Sequence, residues 1–125
     1  MTDEAGKRKA SIEFDRWLIQ TRRGALTLAV LAAILDGESY GYNIMKRLNR
    51  EEYGNLQVEP STIYPLLRRL EQRGMLEAEW SAAEGKRKRL YFLTREGKEM
   101  LRKMSKTWLD LTEQITRLLK EADLI

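Results

Sequence analysis

Two groups of cations in this sequence have spacings that permit anion chemistry. The first lies between Ser61 and Gln72. Turning 100° per residue from Ile63 brings Leu66, Leu67 and Leu70 within about 60° of it, and leaves Ser61, Pro65, Arg68 and Gln72 near the opposite pole, at about 140–200°. Thr62 and Arg69 flank that pole on one side and Tyr64 on the other. A helix with those two faces buries leucine inward. Outward it offers hydroxyls, an amide, an aromatic and two guanidiniums, the groups that meet phosphates and base edges in a major groove. Ser61 and Thr62 belong to the first turn, whose free N–H groups attract a phosphate. The second group is the run Lys86-Arg87-Lys88-Arg89, which on a strand sends alternate charges to opposite faces. Either group alone is also what an ordinary solvated surface looks like, and a basic tip attracts an acidic protein as readily as a nucleic acid.

The remaining composition narrows the chemistry. The 125 residues include no histidine and no cysteine, which removes the usual metal ligands, thiol nucleophiles and disulfides. No glycine-rich phosphate loop or nucleophile elbow occurs, so neither an enzyme nor a cofactor is expected. Charged residues make up 34% of the chain, above the typical quarter, and the net charge is +4. From Ser61 to Lys98 there are nine positive and five negative residues; the rest carries fourteen of each, so the whole excess falls in the segment with the two cationic groups. The longest apolar run, Ala25 to Leu35, is shorter than the roughly 20 residues of a membrane span, and nothing at the N-terminus resembles a secretory signal. A cytoplasmic protein with no membrane partner is expected.

The elements that must position these residues follow from periodicity. Residues 1–23 read as a basic tail and an amphipathic helix from Ser11 to Thr21, with Phe14 and Trp17 seeking an apolar partner. Gly24 is expected to bend that helix or to separate it from a core helix, Ala25 to Leu35. Ser39 is expected to cap a helix from Tyr40 to about Glu52, closed by Gly54. Pro60 suits the first position of the next helix, which should run to about Arg73 and stop at Gly74, with a kink or loosened turn at Pro65. From Met75 the period becomes two: Leu76, Ala78 and Trp80 share an inner face, and a turn at Ala83-Glu84-Gly85 returns the chain into Leu90-Tyr91-Phe92-Leu93.

Thr94 can cap a last helix, although Gly97 stands where a capping box wants Glu or Gln. Along it Leu101, Met104, Trp108, Leu111, Ile115, Leu118, Ala122 and Ile125 recur at alternate steps of three and four, a heptad seam. A helix of roughly 45 Å exceeds what so small a domain covers, and a second copy of the chain is the simplest partner.

The expected fold is therefore mainly α with a small β-hairpin: a winged helix-turn-helix over residues 24–94, then a long C-terminal dimerisation helix over 95–125. Its expected partner is double-stranded DNA at a pseudo-palindromic site; a winged-helix module gripping an acidic protein surface is the alternative. The candidate DNA contacts are Ser61, Thr62, Tyr64, Pro65, Arg68, Arg69, Gln72, Lys86, Arg87, Lys88 and Arg89. The candidate homodimer interface is Phe14, Trp17, Leu101, Met104, Trp108, Leu111, Ile115, Leu118 and Ala122.

Three stretches also carry a resemblance. Arg23-Gly24-Ala25-Leu26 with Tyr40-Gly41-Tyr42-Asn43-Ile44, then Ser61-Thr62-Ile63-Tyr64-Pro65-Leu66-Leu67-Arg68-Arg69-Leu70-Glu71 with Gly74, then Arg87-Lys88-Arg89-Leu90-Tyr91-Phe92-Leu93-Thr94 with Gly97, together resemble the PadR family of transcriptional regulators in its short form. The likeness covers about Arg23 to Leu119. Lys86 stands where many members have a second wing glycine, and the N-terminal helix is longer than in the shortest members. The resemblance implies a homodimeric DNA-binding repressor, often released by a small ligand, and implies for Trp108 a place in an apolar effector pore. The spacing of Trp108 by itself reads as coiled-coil core.

Overall fold

The computed structural model describes residues 3–82, 85 and 87–125. Along the chain run α1 (Glu4–Leu35), α2 (Gly41–Leu48), a 3-10 turn (Glu51–Leu56), α3 (Pro60–Gln72), β1 (Leu76–Ser81), β2 (Lys88–Leu93) and α4 (Arg95–Glu121). This is the mainly helical order with one hairpin that the periodicity predicts.

The core is apolar throughout: among the described residues no polar or charged side chain is buried. Its centre is the C-terminal part of α1, where Val30 and Leu31 are fully buried, together with Ile44 of α2 and Ile63 and Leu67 of α3. Leu76, Tyr91 and Leu101 close it from β1, β2 and α4. All four residues of the inward stripe in α3, Ile63, Leu66, Leu67 and Leu70, are buried.

The expected break at Gly24 does not occur, and α1 is one helix of 32 residues, about 48 Å long. Gly24 is exposed with nothing within 4 Å of the position a Cβ would take, so the glycine lowers helix propensity there without redirecting the chain. Uninterrupted, α1 contains a stretch long and apolar enough to cross a membrane by length and composition, which Ala25–Leu35 alone is not. Leu26, Val30, Leu31, Ala33 and Ile34 of that helix are buried in the core.

The second helix is shorter at both ends than its sequence pattern suggests. Ser39 does not cap it: the Ser39 carbonyl accepts the Tyr91 N–H at 2.8 Å and Tyr40 forms an isolated bridge to Leu90, so residues 39–40 are held against β2. At the other end the Asn49 side chain donates to the Val58 carbonyl at 2.9 Å and accepts the Val58 N–H at 2.7 Å. That pair of bonds turns the chain away from helix before Glu52 and clamps the link into α3.

Helix α3 begins with Pro60 at its first position and continues through Pro65 to Gln72; Gly74 then takes a positive φ of 79°. In the hairpin Leu76 pairs Leu93, Ala78 pairs Tyr91 and Trp80 pairs Arg89. Trp80 shares the face of Leu76 and Ala78 but is 56% exposed, because that face outruns the core near the tip. Ala83, Glu84 and Lys86 lie outside the described residues.

Thr94 caps α4 as expected, accepting the Gly97 N–H at 3.0 Å, and its hydroxyl also donates to the Gly74 carbonyl at 2.6 Å. Gly97 has a role that sequence pattern does not reveal: a Cβ there would stand 2.0 Å from the Met75 carbonyl oxygen. At its far end α4 stops at Glu121, with Ala122 as C-cap and Asp123 at a φ of 58°. Ala122 and Ile125, the last two positions of the heptad seam, therefore fall beyond the helix, which is about 40 Å long.

The two glycines should respond oppositely to alanine. Gly24→Ala should raise stability by about 0.5–1 kcal/mol through helix propensity. Gly97→Ala should lower it by about 1–3 kcal/mol despite the same propensity gain, because the Met75 turn must move. Denaturant midpoints of the two variants check the signs.

Candidate nucleic-acid interface

The outer face of α3 is the one its sequence spacing describes. Ser61, Thr62, Tyr64, Pro65, Arg68, Arg69 and Gln72 are all exposed, opposite the buried leucine stripe. Their placement rests on two supports. One is the Asn49–Val58 clamp ahead of the helix; the other is the tight seat of α2 against it, where a Cβ on Gly41 would lie 2.7 Å from the Tyr64 ring. Tyr64, 37% exposed, thus belongs partly to the α2–α3 seam. Farther back, Arg22 donates to the Asn55 carbonyl at 3.0 Å, tying α1 to the 3-10 turn. Arg47 of α2 donates to Asp36 at 2.6 Å, and that carboxylate raises the Arg47 guanidinium above its ordinary range, so the tie stays ionic.

The three described members of the basic run are placed differently from one another. Arg87 stacks on the Trp80 ring with its guanidinium carbon 4.5 Å from the centroid, and Lys88 stands 5.4 Å above the Tyr40 ring. Arg89 lies 5.1 Å from the centroid of the same Trp80 ring and forms an ion pair with Glu71 of α3. Lys86 lies outside the described residues.

Between α3, the start of α2 and the hairpin runs a cleft of about 650 Å³, lined among others by Tyr40, Tyr42, Asn43, Arg68, Trp80 and Lys88. Of these, Tyr40, Tyr42, Asn43 and Trp80 are absent from the contacts expected from sequence. Tyr42 is 59% exposed. The available signal for Trp80 is the hairpin register, which sets it opposite Arg89; no short-range signal places Tyr42 or Asn43 beside α3. Among the described residues no cluster of three metal-ligating side chains occurs.

The expected interface residues of the long helices divide. Leu101 is buried in the protomer's own core and Met104 packs against it, so the first two seam positions are used internally. Trp108, Leu111, Ile115 and Leu118 remain 42%, 47%, 53% and 64% exposed, and Leu109 beside them 67%. On α1, Phe14 and Trp17 are more than half exposed, their rings 5.8 Å apart.

A helix-turn-helix with an exposed polar face and an adjoining basic wing is a DNA-reading architecture. The model of the Transcriptional regulator PadR-like family matches residues 30–103. The chain belongs to this family. A PadR-like regulator from Eggerthella lenta, known from its crystal structure, is 33% identical and superposes with a TM-score of 0.74 over 90% of this chain and 96% of that one. The PadR-like regulator from Bacillus cereus gives 30% identity and a TM-score of 0.71 over 80% and 96% of the two chains. Transcriptional regulator Rv3488 of Mycobacterium tuberculosis is 35% identical over 80 residues, which is 64% of this chain and 72% of that protein. As a PadR-like protein the chain is a DNA-binding transcriptional regulator and not an enzyme.

In this PadR-like chain the turn ahead of α3 depends on one side chain. Asn49→Ala leaves both backbone groups of the buried Val58 without their partner and should cost about 1–3 kcal/mol. Chemical denaturation measures the loss, and hydrogen exchange should show faster opening at Val58.

Proposed function

We propose that this protein is a sequence-specific, homodimeric, cytoplasmic repressor that sets two copies of α3 into successive major grooves of a pseudo-palindromic site. Half-site centres then lie about 34–36 Å apart. The observation that carries this reading is the two-faced α3: the leucine stripe is buried, and the opposite face is free from Ser61 to Gln72. Ser61 and Thr62 meet phosphate or base edges at the helix start, while Arg68 and Arg69 donate to a guanine or grip the backbone. Arg87 and Lys88 at the wing reach neighbouring phosphates.

The dimer reading rests on apolar surface. Trp108, Leu111, Ile115 and Leu118 on α4, with Phe14 and Trp17 on α1, are exposed in the single chain. Packing α1 of one copy along α4 of the other would cover both sets. Trp108 then lies at the seam between copies, where a small apolar or aromatic effector would find a flat indole face.

Three outcomes test these assignments. A dimer carries twice the charge of +4, and if six to ten phosphates are contacted its affinity for duplex DNA should fall about 10³- to 10⁵-fold between 50 and 200 mM salt. A flat salt response overturns the reading. Substituting Arg68 and Arg69 with Ala should weaken a selected site more than random duplex, as electrophoretic or anisotropy titrations will read. Replacing Leu111 and Ile115 with Glu should shift the sedimenting species from dimer to monomer; an unchanged dimer would move the interface elsewhere.

A further inference from the structure

The wing of this fold is coupled to its recognition helix by one residue whose type suggests a different job. Arg89 belongs to the basic run, and composition alone groups it with the cations that hold phosphates. Its surroundings differ from theirs. One Nη donates to a Glu71 carboxylate oxygen on α3, and the two side chains are only 34% and 29% exposed. Its plane rests against Trp80, its direct cross-strand partner, with 5.1 Å between guanidinium carbon and ring centroid. Its Nε is buried with no acceptor. A guanidinium held by a carboxylate on one side and an indole on the other would have to give up both contacts to reach a phosphate. Arg87, two residues away on the same face, is exposed and stacks on the same indole at 4.5 Å, so it can leave at little cost.

We infer that Arg89 is a positioning residue: through Glu71 and Trp80 it fixes the angle between the wing and α3, and so the width of the cleft between them. Arg89 is the ion pair that joins the two DNA-facing elements directly. The cleft it borders carries Arg68 and Tyr64 from α3 and Lys88 from the wing, so a change in wing angle separates groups that must act on one stretch of DNA. The inference rests on the DNA-binding reading of this surface.

The sign of one substitution separates positioning from simple charge. Glu71→Gln removes a negative charge from a DNA-facing surface. If Arg89 were a phosphate contact restrained by Glu71, the variant would bind duplex DNA more tightly and with a steeper salt dependence. A positioning role predicts weaker binding, by roughly three- to thirtyfold, with the salt slope unchanged. Arg89→Ala should weaken binding by a similar factor with the slope again near the wild-type value, whereas Arg87→Ala should lower the slope by about one. The exchange Glu71→Arg with Arg89→Glu keeps the net charge and should recover most of the affinity.

A second measurement needs no DNA. In a Trp17→Phe, Trp108→Phe background, Trp80 is the sole tryptophan, and Glu71→Gln should make its fluorescence more accessible to acrylamide while thermal melts confirm the fold. Wild-type protein that binds no duplex would overturn the DNA reading and leave this arm standing. Tighter binding by Glu71→Gln, a slope lowered by Arg89→Ala, or unchanged Trp80 quenching would each overturn the positioning role.

Discussion

Everything in this fold leans on the buried third of α1. Helix α1 packs against α2, the 3-10 turn, β2 and α4, and Leu26, Val30, Leu31, Ala33 and Ile34 are the residues it buries there. Because no polar side chain is buried among the described residues, the attraction is the hydrophobic effect alone, which is strong but carries no direction. Such a core would hold α2, α3 and the hairpin together without saying at what angle each should stand.

Direction comes from a few polar contacts at the edge of the core. Asn49 fixes where α3 begins, and the Thr94 hydroxyl joins the end of α3 to the start of α4. The Asp36–Arg47 pair ties the tail of α1 to α2. Gly97 adds a steric version of the same control, since only a residue without a Cβ lets the Met75 carbonyl pass so close. Individually these contacts are modest. Placed between elements, they turn an apolar aggregate of helices into a surface with fixed spacing, as DNA recognition requires.

The parts of the fold governed by local period were legible in the sequence. The two faces of α3, the Pro60 start, the Gly74 stop, the hairpin and the Thr94 cap all depend on residues within a turn or two of one another. Local pattern misled where a distant strand or loop intervened. Ser39 is drawn to Tyr91, 52 positions on, and Asn49 to Val58 across a loop, so α2 is shorter than its periodicity implies. Propensity at Gly24 suggests a bend or a separation because it knows nothing of the core that holds the following turns of the helix. Within the candidate site, residue type announced the arginines. It could not announce that Arg89 has a carboxylate partner on α3 or that Tyr42 and Asn43 border the same cleft, since those facts exist only once the wing has folded back.

The chain has two prolines, and both lie in α3. Pro65, sixth in the helix, takes away the amide that would have bonded the carbonyl of Ser61, an exposed residue. Part of what the folded state gives up there is offset in the unfolded one. Each fixed φ removes conformations that the segment would otherwise sample, by an amount equivalent to about 0.4–1 kcal/mol per proline. The segment that has to present its side chains in a set geometry thus has fewer unfolded conformations to lose than it would have without its prolines.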